Sequence, residues 1–232
     1  MINLSDYSSS KEPIVVICGG ASHPYLDLIK QLEEKSIEYV LIGVDRGALR
    51  LVQAGYHLDY AYGDFDSVTK EEFQLIEIHS THLTRVSSHK DDTDMELTLE
   101  SAMTMYPNSD YFLMGALGKK IGRLDHLLAN IWLVYQPRFV GKIDKVIFVE
   151  ASQYLTILKA GEHVIDAVNT CDYISFISLT AIKNWSIKGA KYELDSASLD
   201  YPRAFISNEF VGNCPIEVKF DEGLMMCLIV KE

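Results

Sequence analysis

The feature of this sequence that most limits its fold is an alternation of apolar runs and helical patterns along its first 150 residues. Nearly continuous apolar runs of this kind are typical of strands buried on both faces of a sheet. They occupy residues 14–18, 39–44, 111–114 and 145–149. Weaker strand patterns occupy residues 60–62 and 82–86, and helical patterns occupy residues 70–78, 94–105 and 124–134. Because parallel strands need long crossover connections, usually helices, the alternation predicts a mostly parallel sheet covered by helices.

Beyond residue 150 the pattern changes to short, often alternating segments that are broken by glycines and other turn residues. The predicted strands occupy residues 154–158, 163–165, 173–178, 204–206, 216–220 and 224–230. Such segments are typical of an antiparallel β-sandwich. The sequence therefore predicts two domains: an α/β parallel-sheet domain at residues 1–150, followed by an all-β antiparallel sandwich domain at residues 151–232.

The overall charge and the cysteines narrow the expected partners and compartment. The 232 residues carry a net charge of −12, which repels the phosphate backbone of nucleic acids and anionic lipid surfaces. The sequence has no apolar run of roughly 18 residues, the length that a membrane-spanning helix needs. The four cysteines form no CxxC pair, and most lie in apolar segments, as expected for reduced thiols of a cytoplasmic protein. We therefore expect neither a nucleic-acid partner nor a membrane partner.

Acidic side chains follow the predicted strands of the α/β domain. Asp45 follows the second strand, Asp64 and Asp66 the third, Asp91 and Asp94 the fourth, and Asp125 comes after the fifth. In an open parallel sheet, ligands bind outside the carboxyl ends of the strands, where these loops meet. Carboxylates that are packed together raise one another's pKa unless a cation neutralises them, and their hard oxygen atoms suit Mg²⁺. The sequence therefore predicts a Mg²⁺ site that also receives substrate phosphates.

The same segments also have purely structural explanations. Thr93 and Glu96 have the spacing of a helix capping box, and the Asp-x-Asp at residues 64–66 can form a simple Asx turn. Arg123 and Asp125 fit an ordinary surface pair at a helix start, although Arg123 could equally grip a phosphate with two hydrogen bonds. The sequence contains neither a P-loop nor a GxGxxG dinucleotide-binding motif.

Three acidic motifs occur in a fixed order along the first domain. They are Gly-Asp-Phe-Asp-Ser at residues 63–67, Lys-Asp-Asp-Thr-Asp at residues 90–94 with Glu96, and Gly-Arg-Leu-Asp-His at residues 122–126 with Asn130. Their order and spacing resemble those of the thiamine pyrophosphokinase family, and residues 189–192 and 207–209 fall where the β-domain motifs of that family lie. The family usually has a compact Gly-Gly-Arg before Asp-His, whereas residues 119–121 here separate Gly118 from Gly122.

The resemblance implies an enzyme that transfers a diphosphate group from ATP to the hydroxyl group of thiamine, giving thiamine diphosphate and AMP. It also implies a requirement for Mg²⁺ and assembly as a homodimer. The α/β domain is expected to hold the nucleotide, and the thiamine site is expected between that domain and the β-domain of the partner subunit.

Roles for individual residues follow from the motifs and the resemblance together. The residues expected to hold Mg²⁺, directly or through water, are Asp64, Asp66, Asp91 and Asp94. The residues expected to be catalytic are Asp66, Asp91, Arg123 and Asp125, with Asp125 as the proton acceptor for the thiamine hydroxyl. Substrate contacts are expected from Asp45, Lys90, Thr93, Asn130, Ser207 and Asn208. Among these, Lys90 neutralises phosphate charge together with Arg123, and the last two contact the pyrimidine ring of thiamine.

Two other functions are compatible with the acidic loops alone. A metal-dependent phosphohydrolase on a similar frame would use water as the acceptor and would form AMP without thiamine. A ligand-binding or regulatory module would bind a cation through the same acids and turn over no nucleotide.

Overall fold

A computed structural model describes residues 4–7, 11–87, 91–117, 124–168 and 170–232. The chain divides into two compact units, Leu4–Ala151 and Ser152–Glu232, which we call the N-terminal and the C-terminal unit. This division falls beside residue 150, where the sequence pattern changes. Within the described ranges, no helix is both long enough and apolar enough to cross a membrane.

The N-terminal unit alternates strands and helices. The strands are β1 (Ile14–Cys18), β2 (Tyr39–Val44), β3 (Leu58–Gly63), β4 (Ser80–Arg85), β5 (Tyr111–Met114) and β6 (Val146–Glu150). The helices are α1 (Asp27–Glu34), α2 (Arg46–Gln53), α3 (Lys70–Ile78), α4 (Asp94–Met105), α5 (Leu124–Trp132) and α6 (Pro137–Val140). Short 3₁₀ turns occupy Leu4–Tyr7, Leu133–Tyr135 and Ile143–Lys145.

All strands of this unit are parallel, and their order across the sheet is β6, β5, β1, β2, β3, β4. Every residue of β1 and β5 is buried, as the continuous apolar runs predict. The chain proceeds from β1 outward to β4 and then crosses back to β5, so the strand order reverses between β1 and β5. In such sheets the crevice at the reversal is the usual place for a ligand.

Two of the helices begin with complete capping boxes. The hydroxyl of Thr69 accepts a hydrogen bond from the N–H of Glu72, whose carboxylate accepts one from the N–H of Thr69. Thr93 and Glu96 form the same reciprocal pair at the start of α4, which confirms the capping box predicted from their spacing. The cap fixes where α4 begins, and therefore where Asp94, its first residue, is placed.

The C-terminal unit consists of antiparallel strands. They are β7 (Gln153–Ile165), β8 (Tyr173–Ser178), β9 (Ile182–Lys188), β10 (Leu194–Leu199), β11 (Ala204–Asn208) and β12 (Ile216–Val230). β12 pairs with β7 along nearly its whole length, with β9 in its first half and with β8 in its second half. β10 and β11 extend these pairings by joining β9 and β8. The core of the unit is closed by large buried side chains that include Phe176, Trp185 and Phe220.

The predicted fold class, a parallel α/β domain followed by an antiparallel β-domain, is confirmed. The details differ in the C-terminal unit. Each of the long strands β7 and β12 was predicted as two short strands, because a glycine interrupts its apolar pattern. Pairing between β7 and β12 resumes beyond Gly161 and Gly223, so each strand continues. β9 and β10 were not predicted, because their exposed polar residues hide the apolar alternation.

Candidate functional site

Three carboxylates meet at the carboxyl edge of the parallel sheet. Asp45 follows β2, Asp64 follows β3 and Asp94 begins α4. One carboxylate oxygen from each lies within 4.8 Å of those of the other two, and all three side chains are half-buried. We call these residues the carboxylate cluster. Two of its members, Asp64 and Asp94, are predicted metal ligands, while Asp45 was expected only to contact substrate.

Asp45 reaches the cluster through an unusual backbone conformation. Its φ is 47°, in the left-handed region that few residues other than glycine adopt. Its N–H donates to the carbonyl of Tyr62 over 2.9 Å, and its Oδ1 accepts from the N–H of Phe65 over 3.1 Å. The carboxylate occupies the space that a side chain on Gly63 would fill. β3 therefore holds the backbone of Asp45, and the loop after β3 holds its side chain.

The electrostatics of the cluster are unfavourable without a cation. Burial is the largest cause that raises the pKa of Asp45 from 3.8 to about 7. The neighbouring Asp94 and Asp64 contribute to the rise, and the hydrogen bond from the N–H of Phe65 opposes it. A group of close carboxylates that has lost part of its hydration favours protons or a cation. Three carboxylate oxygens at this spacing are a donor set suited to a hard divalent ion such as Mg²⁺.

The loop after β3 is anchored by an aromatic side chain and an arginine. Phe65 has a φ of 56° and is buried, with its ring packed edge-on against Phe73 at 5.2 Å. Nε of Arg85 donates to the carbonyl of Asp64 over 3.2 Å. The N–H of Asp66 donates to Oδ1 of Asp64 over 3.0 Å, which is the Asx turn offered as the structural explanation. Asp66 itself is exposed and is not among the three cluster members found in the described part of the chain.

The loop before α4 is anchored by an arginine that sequence reasoning missed. Arg138 in α6 donates two hydrogen bonds to Asp92, over 2.7 and 3.1 Å, and one to Glu100 over 3.1 Å. These contacts, with Asp92 the foremost, raise the pKa of Arg138. Asp91, beside Asp92, is exposed and lies outside the cluster as far as the described residues show. The guanidinium thus fixes the segment that leads into Asp94.

The loop after β5 is held by two buried side chains. Nδ2 of Asn130 in α5 donates to the carbonyl of Ala116 over 2.9 Å. Oε1 of Glu150 accepts from the N–H groups of Ala116 and Leu117 over 3.1 and 3.0 Å. Asn130 therefore supports the loop in this structure, and Glu150 is a second support that sequence reasoning missed. The sequence signal available for Glu150 was a single acidic residue at the end of a buried strand.

Two further predicted residues of the N-terminal unit lie within the described part of the chain. Asp125 lies in the first turn of α5 and is exposed. Thr93 caps α4. Lys90, Arg123 and the insertion at residues 119–121 lie outside the described residues.

The two residues of the C-terminal unit that are predicted to contact thiamine differ in their exposure to solvent. Ser207 is exposed, with a φ of 61°, and its N–H donates to Oγ of Ser175 over 3.2 Å. Asn208 is buried, and its Oδ1 accepts from the N–H groups of Tyr192 and Glu209, both over 2.9 Å. Its Nδ2 donates to the carbonyl of Tyr192 over 2.8 Å. Asn208 thus shapes the local turn through these hydrogen bonds, and Ser207 is the accessible side chain of the two.

Comparison with known proteins gives two family matches that together cover most of the chain. The family model described as thiamin pyrophosphokinase, catalytic domain, matches residues 30–146. The model described as thiamin pyrophosphokinase, vitamin B1 binding domain, matches residues 162–225. Thiamine pyrophosphokinase of Bacillus subtilis (strain 168) is 31% identical over 200 residues, which are 85% of this chain and 89% of that relative.

Solved structures agree with the sequence matches. A thiamin pyrophosphokinase family protein from Enterococcus faecalis superposes with a TM-score of 0.85 at 29% identity, covering 95% of this chain and 99% of that chain. Thiamine pyrophosphokinase from Bacillus subtilis gives a TM-score of 0.81 at 28% identity, covering 95% of this chain and 100% of that chain. Thiamin pyrophosphokinase from Candida albicans, at 17% identity and a TM-score of 0.78 over 97% of this chain and 91% of that chain, shares the fold.

Proposed function

Because the chain belongs to the thiamine pyrophosphokinase family, we propose that its carboxylate cluster is the Mg²⁺ site of a diphosphate transfer from ATP to thiamine. The family identity establishes the transfer itself: the chain is a thiamine diphosphokinase that forms thiamine diphosphate and AMP. The observation that carries the proposed metal site is the approach of carboxylate oxygens of Asp45, Asp64 and Asp94 to within 4.8 Å of one another.

The chemistry of the transfer defines what the site must do. The hydroxyl oxygen of thiamine forms a bond to the β-phosphorus of ATP. The bond from that phosphorus to the oxygen bridging the α-phosphate breaks, and AMP leaves with its electron pair. The hydroxyl proton passes to a base or to water. Such reactions depend chiefly on positioning and on neutralising the charge of the phosphates.

The carboxylate cluster fits a resident Mg²⁺. Its oxygen donors are of the hard type that Mg²⁺ takes from one or two carboxylates plus substrate phosphates. The pKa of Asp45 is raised by burial and by the neighbouring carboxylates, whose negative charge a cation would offset. When bound, the ion supplies positive charge to the phosphate oxygens. Asp45, Asp64 and Asp94 would hold it directly, and the exposed Asp66 and Asp91 would hold it through water.

The other roles are assigned to further residues of the N-terminal unit and to the C-terminal unit. Asp125, exposed at the start of α5, is the base for the thiamine hydroxyl, and Arg123 and Lys90 neutralise phosphate charge. Thr93 and Asn130 contribute indirectly to substrate binding, because they hold the loops that face the substrate. In the C-terminal unit, Ser207 contacts thiamine through its exposed hydroxyl, while Asn208 keeps the turn in shape.

The enzyme is proposed to act as a homodimer in the cytoplasm. Helix α5 carries Leu124, Leu128 and Trp132 at successive turns of one face, and all three side chains are exposed. An apolar stripe of this kind is typical of a protein interface, and a second copy of the chain is the partner that the family resemblance implies. All four cysteines are free thiols, which suits a reducing compartment.

The test is incubation of the full chain with thiamine, ATP and Mg²⁺, with thiamine diphosphate and AMP both quantified. We expect the two products in equal amounts, none after treatment with EDTA, and recovery when Mg²⁺ is restored. Formation of AMP at the same rate without thiamine would instead identify a phosphohydrolase. Full activity without a divalent ion would refute the proposed metal site.

A further inference from the structure

Two arginines on α2 lie beside the carboxylate cluster and have no role in the assignments above. Arg46 directly follows Asp45, and Arg50 lies one helical turn further along. The guanidinium of Arg46 donates to the carbonyl of Ser67, in the loop after β3. That of Arg50 donates to the carbonyl of Gly20, in the loop after β1. The two cations therefore border the loops at the carboxyl edge of the sheet.

The position of α2 against the sheet is closely defined. A Cβ atom on Gly47 would lie 2.1 Å from the carbonyl oxygen of Cys18, and one on Gly43 would lie 2.4 Å from Cα of Ala48. The first turn of the helix thus packs directly against the ends of β1 and β2, with Ala48 and Leu51 fully buried. Since the backbone of α2 is fixed in this way, the two guanidinium groups are held against the loops after β1 and β3, at the carboxyl edge of the sheet.

Neither arginine has a carboxylate partner in direct contact within the described part of the chain. Among the residues that the structure describes, neither makes a salt bridge, whereas Arg138 pairs with both Asp92 and Glu100. A guanidinium has several N–H donors, and each arginine makes one hydrogen bond to a carbonyl. Burial and the neighbouring charge of Arg46 lower the pKa of Arg50. Two adjacent cations that make no salt bridge with any described residue are therefore available to an anionic ligand, although the chain has a net charge of −12.

We infer that Arg46 and Arg50 bind the phosphate groups of ATP on the side of the carboxylate cluster that faces α2. The planar guanidinium fork matches phosphate oxygens with two parallel hydrogen bonds, and both side chains have donors left for this purpose. The edge near β1 is also where the strand order reverses and ligands of parallel sheets bind. This inference rests on the proposed function, because it names further residues that hold the donor substrate.

Direct binding measurements on the full chain test the inference. Calorimetric titration with ATP and Mg²⁺ is carried out on the wild type, on Arg46→Gln, on Arg50→Gln and on the double variant. Each single change should weaken ATP binding by about tenfold to a hundredfold, the usual value of a charged hydrogen bond, with the double variant weaker still. Thiamine binding should be unchanged, and the salt dependence of ATP binding should be less steep in the double variant.

A matched control separates the phosphate contact from loss of charge or of structure. Lys219→Gln removes one positive charge from an exposed ion pair with Glu162, 2.6 Å long, in the C-terminal unit, and should leave ATP affinity unchanged. Glutamine keeps an N–H donor for the loop carbonyls, so the melting temperatures of the arginine variants should stay close to that of the wild type.

The outcomes distinguish this inference from the proposed function. ATP affinity of the double variant indistinguishable from that of the wild type would overturn the inference, as would equal losses of ATP and thiamine binding. Neither result would affect the proposed function, which is judged by the products of the wild-type enzyme. Conversely, a wild type that binds ATP but makes no thiamine diphosphate would refute the function, while loss of that binding in the variants would still support the arginine contacts.

Discussion

A Cβ atom on Gly63 would lie 1.9 Å from Oδ1 of Asp45, so the carboxylate of Asp45 can reach its neighbours only because residue 63 has no side chain. Gly63 also has a φ of 151°, which disfavours any other residue. The glycine of the Gly-Asp-Phe-Asp-Ser motif therefore serves the cluster as directly as the aspartates do.

Gly63→Ala should displace the carboxylate of Asp45 and so weaken Mg²⁺ binding and lower kcat, besides destabilising the fold by about 1–3 kcal/mol. The matched control is Gly55→Ala, since Gly55 has a φ of 91° but nothing within 4 Å of its added Cβ. That variant should lose about 1 kcal/mol of stability and keep its activity. Chemical denaturation and kcat as a function of Mg²⁺ measure both effects. Equal activity losses in the two variants would contradict the explanation.

The carboxylate cluster should make the stability of the metal-free protein depend on pH. The pKa of Asp45 is raised from 3.8 to about 7 by burial and by Asp94 and Asp64, so the folded chain holds this proton to higher pH than the unfolded chain. The free energy of unfolding should therefore fall as the pH rises between these values and stay low above them, by a few kcal/mol at most. Asp45→Asn should lack this fall, because asparagine stays neutral. Chemical denaturation in EDTA across this pH range measures the effect. If the free energy of unfolding changed with pH in the same way in the wild type and in Asp45→Asn, the prediction would be contradicted.

Arg138→Gln should loosen the segment that leads into Asp94. Because Arg138 contacts Asp92 and Glu100 at partly exposed positions, we expect a loss of about 1–2 kcal/mol in stability. The Mg²⁺ concentration for half-maximal activity should rise, and Arg138→Lys should restore it in part. Lys191→Gln, which breaks the exposed pair with Glu209, is the control and should change neither quantity. An unaltered Mg²⁺ requirement in Arg138→Gln would show that the segment needs no such anchor.

Asp66→Asn and Asp91→Asn should each lower kcat by roughly tenfold or more, as loss of an outer ligand of a metal site commonly does. Both side chains are exposed, so circular dichroism should show an intact fold. Asp195→Asn removes the same charge from an exposed position on β10 and should leave kcat unchanged. A near-normal kcat in the first two variants would show that Asp66 and Asp91 do not contribute to the metal site.

Trp132→Glu should dissociate the proposed dimer, because it places a charge in the apolar stripe of α5. Ile78→Glu is the control, since Ile78 is the more exposed of the two side chains, at 74% against 57%, but lies on α3. Sedimentation velocity should give a monomer for the first variant and a dimer for the second. A dimeric Trp132→Glu protein would place the interface elsewhere.

The sequence was most informative where burial was complete. β1 and β5, which are buried along their whole length, have the bounds predicted for them, because a strand covered on both faces needs apolar side chains at every position. β2, which is buried in its last four residues, also has its predicted bounds. The predicted bounds of β4 were less accurate, because its exposed, polar side chains carry no such requirement. In the carboxylate cluster, Asp64 and Asp94 were predicted as metal ligands because they follow strands in order. The place of Asp45 in the cluster depends on its left-handed backbone and on the space beside Gly63. Arg138 lies 46 residues from Asp92 in the chain, so no local pattern links them.

The pairing of β12 also sets an order of events when the chain is synthesised. In the N-terminal unit every strand precedes residue 151, so its sheet can form while later residues are still being added. In the C-terminal unit, Gln153 pairs with Val230, and β8 and β9 both pair with β12. Contacts between such distant residues form slowly. The edges of β7, β8 and β9 that pair with β12 therefore stay open until residues 216–230 have emerged, and the C-terminal unit is the part of a nascent chain most in need of protection from aggregation.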